Sequence, residues 1–300
     1  MKNLLKILPL IPLCLACGSD SEDDMTASIG NAIVFDARID NTRAVADITD
    51  IQTDGFKVWG GYGTTTVFNG ENIVLGSDNT HTTDKKWTFN TYNFYAVYPT
   101  TVEATYTAPS TFTIPNYDLK NNTNTDLMIA QATGHEYPTN GEAVGLYFRH
   151  ALAKLEFVGK STNDEQMAFL YSIALYGNGI PSTATYNNST WTPNSITSSS
   201  APLISTNNEG QGWRLSKSGN SVITDLHVFP KNTGQNVTVT LVSNNGNGNV
   251  ANNVTLPDTK WEAGKIYRYT FSIDPNLYIT FSEPEITDWQ YGSAGNKVIE

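Results

Sequence analysis

Cysteine is nearly absent: the chain holds 2, Cys14 and Cys17, and none from Gly18 onward. A body without thiols cannot be stapled by disulfides, so its stability has to come from buried apolar surface. Long apolar runs are scarce as well. One near the start, residues 7–16, is too short to cross a bilayer and stay, and no later run approaches a span, so any lasting membrane attachment has to be through lipid. Positive charge is in deficit: 18 Lys and Arg against 29 Asp and Glu give a formal net charge of -11, which argues against nucleic acid and against an anionic membrane surface as partners. The 4 histidines, His81, His135, His150 and His227, are scattered without paired metal spacing. A sustained 3.6-residue apolar period is also missing, so helix is expected to be scarce.

What is present begins with Lys2 and Lys6, the short apolar run, then Ala16, Cys17 and an abrupt polar turn at Gly18. This reads as a secretory leader. It resembles a bacterial lipoprotein signal, which implies a signal peptide over residues 1–16 and lipidation of Cys17. An ordinary leader cut elsewhere, with Cys17 lost or left as a free thiol, is the plain alternative; Cys14 stands where such signals usually carry Leu. Residues 17–28 then form an acidic tether with Asp20, Glu22, Asp23 and Asp24. Acting alone it is a solvated spacer. In lipoproteins of Bacteroidales-type bacteria a similar run marks export to the outer face of the outer membrane, and the resemblance points to the cell surface.

The 300 residues suffice for one large or two ordinary β domains. Short apolar runs alternate with Gly, Asn, Ser, Thr and Pro clusters, which predicts an all-β chain. Residues 31–39 are the first strand, with Ile33, Phe35, Ala37 and Ile39 on one parity. Residues 56–62, 65–68, 86–89, 92–98, 111–114 and 127–132 follow, with Pro99 and Pro115 as stops. In residues 145–158 the pattern changes phase: Phe148 and Leu152 share one parity, and Ala153, Leu155 and Phe157 take the other. Strand faces alternate strictly, so this requires a bulge, a passage from one core to another, or a helical turn over residues 150–154. A domain boundary is expected there, near His150. Further strands are expected at 169–176, 182–186, 190–191, 212–215, 222–229, 237–242, 266–273, 277–281 and 286–291, with a long loop over 193–209.

Catalytic signatures are thin. The chain carries no Gly-x-Ser-x-Gly elbow, Walker loop or zinc-protease helix. Ser77-Asp78-Asn79 lacks an accompanying Ser-x-x-Lys and reads as a turn; Asn122, Asn124 and Asp126 have calcium-loop spacing without its Gly and terminal Glu, and read as a polar loop. His150 and His227 fall on strand patterns as core-edge hydrogen-bonding residues. No enzyme, cofactor or metal is expected, although β-sandwich sites can be built from residues far apart in sequence.

An ordered series of segments carries a family resemblance: Thr42-Arg43-Ala44 after the first strand, FYAVYP at 94–99, DLMIA at 126–130, YFRHALAKLEF at 147–157, HVFPKNTG at 227–234, WEAGKIYRYTFSI at 261–273 and EITDW at 285–289. In this order and spacing, behind the lipoprotein leader, the chain resembles the fimbrillins, surface fimbria subunits of Bacteroidales. The resemblance implies two tandem transthyretin-like β-sandwich domains, here residues 29–150 and 151–300. It also implies export as a lipoprotein to the outer membrane and, in polymerising members, removal of the N-terminal segment by an arginine-specific protease. Mapped onto this chain, the cut falls between Arg43 and Ala44, with Arg38 inside the strand pattern as the less accessible competitor. The displaced strand carries Ile33, Phe35, Ala37 and Ile39; the candidate donor strand carries Ile286, Trp289, Tyr291, Val298 and Ile299. Implied partners are other fimbrial subunits, the protease and the outer membrane. A tip or anchor subunit, or a non-polymerising surface lipoprotein binding glycans or host ligands, is the alternative.

Overall fold

A computed structural model describes residues 31–39, 49–122, 125–138, 141–163, 168–207, 212–244 and 248–289. The first half comprises β1 (Ala32–Ile39), a single helical segment α1 (Thr49–Asp54), β2 (Phe56–Tyr62), β3 (Thr65–Ile73), β4 (Thr80–Lys86), β5 (Tyr92–Tyr98), β6 (Thr105–Thr107), β7 (Thr111–Asp118), β8 (Met128–His135) and β9 (Val144–His150). The second comprises β10 (Ala153–Ser161), β11 (Ala168–Asn187), β12 (Thr190–Thr197), β13 (Ile204–Asn207), β14 (Trp213–Leu215), β15 (Asn220–Val228), β16 (Thr238–Asn244), β17 (Asn249–Thr255), β18 (Lys265–Ile273), β19 (Ile279–Phe281) and β20 (Glu285–Asp288).

The first sheet runs β3-β2-β5-β8-β9-β1-β4. Between Phe35 on β1 and Phe68 on β3 lie five strand steps, roughly 24 Å in a flat sheet. Their ring centroids are 5.3 Å apart. The sheet therefore folds over itself, and the crease is at β8 and β9, which share only the register pairs Met128–His150 and Ile129–Arg149. The two arms enclose a core of Phe35, Phe56, Phe68, Phe94 and Phe148. The β2-β5-β8 arm is buried on its other face too: Trp59, Tyr95, Val97 and Ile129 join the larger second core. Burial on both sides explains why β5 reads YNFYAVY, with apolar residues of both parities.

The second core lies between a β15-β10-β18-β19 sheet, with β20 also on β18, and a β17-β16-β11-β7-β6 sheet. Leu155 and Phe157 on β10, Tyr267, Tyr269 and Phe271 on β18, Leu170 and Ile173 on β11, and Val239 on β16 are all fully buried or within 1 % of it. The phase change in residues 145–158 is the passage between the cores. Phe148 on β9 packs in the first, Ala151 and Leu152 form the link, and Ala153 opens β10 in the second. The link is not a helical turn.

Several strands depart from the sequence reading. Residues 169–176 and 182–186 are one strand, β11, because Gly177 takes a φ of 128° that absorbs a register shift within it. A Cβ there would meet the Asn236 carbonyl oxygen at 2.5 Å, so the position requires glycine. Pro115 does not stop β7: it falls where the pairing with β11 shifts register, so the missing N–H leaves no gap in the ladder. The expected strand at 86–89 ends at Lys86 instead, because the N–H of Trp87 turns to the Asn31 carbonyl and its ring enters the first core. The loop expected over 193–209 contains the rest of β12 and β13, and the polar β17, NVANNVT, was not anticipated.

Candidate functional site

β1 is the feature on which the functional expectation rests. Its inward residues Ile33, Phe35 and Ala37 are completely buried, and the Phe35 ring meets Phe68 and Phe94 edge-on, each at 5.3 Å. On one side β1 runs parallel to β9, from Phe35 opposite Val144 to Ile39 opposite Phe148; on the other it is antiparallel to β4. It is an interior strand. Its removal would leave the edges of β9 and β4 unpaired and uncover the first core. Burial of Ile33 and Phe35 contributes roughly 4–6 kcal/mol, with a smaller part from Ala37. Arg38 points outward into an ion pair with Asp36 at 2.7 Å, and its backbone pairs with Tyr147. A protease needs its substrate backbone free, so Arg38 is a poor target while β1 is docked. Arg43, Ala44, Cys17, Tyr291, Val298 and Ile299 lie outside the described residues, as does the side chain of Ile39.

At the other end, β20 lies antiparallel on β18, from Arg268–Glu285 to Lys265–Asp288. All four of its residues are exposed, Ile286 at 51 %, and its cross-strand contacts include the Lys265–Asp288 and Arg268–Glu285 ion pairs. Trp289 is different. Its indole is 8 % exposed and stacks on the His150 ring at 4.2 Å and 6°, with His227 on it at 4.7 Å and the Lys154 ammonium 5.7 Å from its centre. The Trp289 backbone N–H donates to the Gly264 carbonyl at 2.8 Å, and the Gly264 N–H donates to the Leu152 carbonyl in the link between the cores. The residues expected to form a donor strand are thus, as far as they are described, docked on their own chain.

Two carboxylates hold the clamp. Asp126 shares a 2.8 Å hydrogen bond with His150 Nδ1; Asp225 shares one of 3.0 Å with His227 Nε2 and pairs with Lys154 at 2.9 Å. Burial acts to raise the Asp225 carboxyl, but hydrogen bonds and charge from His227 and Lys154 outweigh it and hold the group down at about 2. Sequence pattern placed both histidines at the core edge; it carried no sign that a tryptophan joined them. Of the calcium-like spacing, Asp126 is committed to His150 and the Asn122 amide donates to the Asp118 carbonyl, while Asn124 lies outside the described residues. Ser77-Asp78-Asn79 is a turn, with Asn79 at a φ of 63° and Asp78 accepting from the Thr80 N–H.

A family profile described as fimbrillin-like matches residues 42–289. The chain belongs to this fimbrillin-like family. Among solved structures, a fimbrial protein from Bacteroides vulgatus is similar at a TM-score of 0.58 with 16 % identity, covering 86 % of this chain and 99 % of its own. A protein of Bacteroides ovatus named for cell adhesion reaches 0.52 with 18 % identity, covering 88 % and 98 %. Another of that description from Parabacteroides distasonis reaches 0.54 with 10 % identity, covering 87 % and 97 %. At these identities the likeness is one of fold. No curated protein matches the chain. The fimbrillin-like match begins three residues past the end of β1 and runs to Trp289, so it spans the clamp and leaves β1 outside it.

Proposed function

We propose that this protein is a non-enzymatic fimbrial subunit or adhesin of the bacterial cell surface. In this reading it is exported as a lipoprotein anchored through Cys17 to the outer membrane, released by an arginine-specific protease cutting between Arg43 and Ala44, and joined to other subunits by strand exchange. Residues 29–150 and 151–300 act as its two domains, with β6 and β7 of the first crossing over to extend a sheet of the second. The observation that carries the reading is β1: an interior strand whose described inward side chains, Ile33, Phe35 and Ala37, are apolar and buried, followed by a connection that holds Arg43. One cut in that connection removes the covalent hold on β1 while its neighbours β9 and β4 stay in place. A vacated interior slot offers two edges of main-chain donors and acceptors together with apolar pockets, which is what β-strand addition requires. Head-to-tail repetition of such a contact does not close and yields a filament.

A second reading, a tip or anchor subunit or a permanently anchored lipoprotein, draws support from the opposite end. β20 is docked on its own chain with Ile286 facing solvent, and the segment after Trp289 is mostly polar, QYGSAGNKVIE. Treating the folded protein with an arginine-specific protease separates the readings. A new N-terminus at Ala44 and a ladder on an unheated denaturing gel that collapses on heating are expected for a polymerising subunit. Cutting without a ladder indicates a subunit that needs another's donor strand. An uncut Arg43 overturns the processing step.

A further inference from the structure

Beside the crease between the two cores lies a cleft of about 880 Å³, within the size range of small-ligand sites. Its floor is the outward face of β8 and β9, with Gln131, Tyr147 and Arg149; the β11–β12 hairpin forms one wall, with Asn178 and Trp191, and the loops bearing Lys231 and Lys260 close the end. Its charge runs against that of the chain. In a protein of net charge -11, the lining brings together Arg149, Lys231 and Lys260, with Glu262 beside Lys260 at 2.7 Å and Asp258, behind the lining, beside Lys231 at 3.4 Å, so cations still outnumber carboxylates among the described residues there. A concave site with low-dielectric walls focuses such a field on a small anion.

Lys231 is built in rather than draped over the surface. Its side chain is 3 % exposed, its ammonium sits 5.1 Å over the Trp261 ring, and it donates to the Asn232 carbonyl at 3.3 Å and to Asp258 at 3.4 Å. The rest of the lining is amide, hydroxyl and aromatic. Gln131 reaches the Tyr186 and Ser189 hydroxyls, each at 3.3 Å, while Tyr147 stands 49 % exposed on the floor. Amides suit the paired donors and acceptors of sugar hydroxyls, an exposed aromatic face suits the apolar side of a pyranose ring, and cations suit a carboxylate. An acidic peptide would use the cations but has no need of the ring and amides together.

We propose that this cleft binds a short acidic oligosaccharide, a uronate- or sialate-bearing glycan, with Arg149 meeting the carboxylate, the two lysines adding to the field around it and Tyr147 supplying the ring contact. The proposal does not depend on strand exchange, and neither reading falls with the other. The test is calorimetric titration of the full chain with a hyaluronan tetrasaccharide and with sialyllactose. Their neutral counterparts chitotetraose and lactose, and a tetraglutamate peptide, serve as controls. Saturable binding of one acidic sugar, at least about tenfold tighter than its neutral counterpart and than the peptide, is expected. Arg149→Gln and Tyr147→Ala, both at exposed positions, should each weaken it about fivefold or more with the melting temperature unchanged. Failure of both acidic sugars to bind, equal binding of the neutral sugar or the peptide, or indifference to both substitutions overturns the proposal.

Discussion

β1 and β20 stand at opposite ends of the described chain and are held by opposite means. β1 has neighbours on both edges and buries Ile33, Phe35 and Ala37; β20 pairs, among the described residues, with β18 alone and exposes all four of its side chains, and the residue that fixes it is the next one, Trp289. A strand held by its core contacts leaves a costly cavity when it departs, so it stays until something equivalent replaces it. A strand held by backbone pairing and a single aromatic plug gives up one core contact, the Trp289 indole, when it lifts off, and leaves the rest of both cores packed. In the proposed assembly this asymmetry decides the order of events. The last strand comes free first and searches, and the first strand leaves only as a replacement enters.

The comparison breaks most visibly at Phe35. Phe35→Ala should lower unfolding free energy by about 3–5 kcal/mol in urea titration, whereas Ile286→Ala should stay within about 0.5 kcal/mol. A large loss at Ile286 would mean that β20 carries core weight. Next comes Trp289→Ala, expected to cost about 2–4 kcal/mol and, more tellingly, to speed hydrogen exchange in β20 while leaving β1 protected. Exchange rising equally in both strands would show that the ends are coupled.

The clamp should also answer to acid. With the Asp225 carboxyl held at about 2 against an ordinary 3.8, its contribution is fully present above the ordinary value and fades as pH falls towards the lowered one. Asp225→Asn should therefore flatten the acid limb of β20 protection in that window, read by hydrogen exchange. A small effect is also expected for Lys265→Ala, which removes an exposed ion pair and should, like Ile286→Ala, change stability by no more than about 0.5 kcal/mol.

Much of this was legible from alternation alone. The bounds of β2 and β5, the four inward residues of β18 and the buried triplet of β1 follow from period-2 patterns with one or two apolar faces, and the phase change in residues 145–158 marked the crossing between cores. Other features left no local trace. Gly177-Asn-Gly-Ile-Pro looks like a turn yet lies within β11, because a register shift absorbs it in mid-strand. β17 has a polar sequence and owes its place to main-chain pairing with β16. The Trp289 clamp gathers Asp126 from the loop before β8, His150 from β9, Lys154 from β10 and Asp225 and His227 from β15, so spacing could not reveal it.

The central claim is that β1 must leave for subunits to join. Val34 and Thr82 lie opposite each other on β1 and β4, and the body has no cysteine of its own. A Val34→Cys, Thr82→Cys variant, oxidised to lock β1 in place, can be cut with an arginine-specific protease and compared with its reduced form on an unheated denaturing gel. The account predicts a ladder from the reduced protein and none from the oxidised one, with both cut at Arg43. An equal ladder from the locked protein would contradict it.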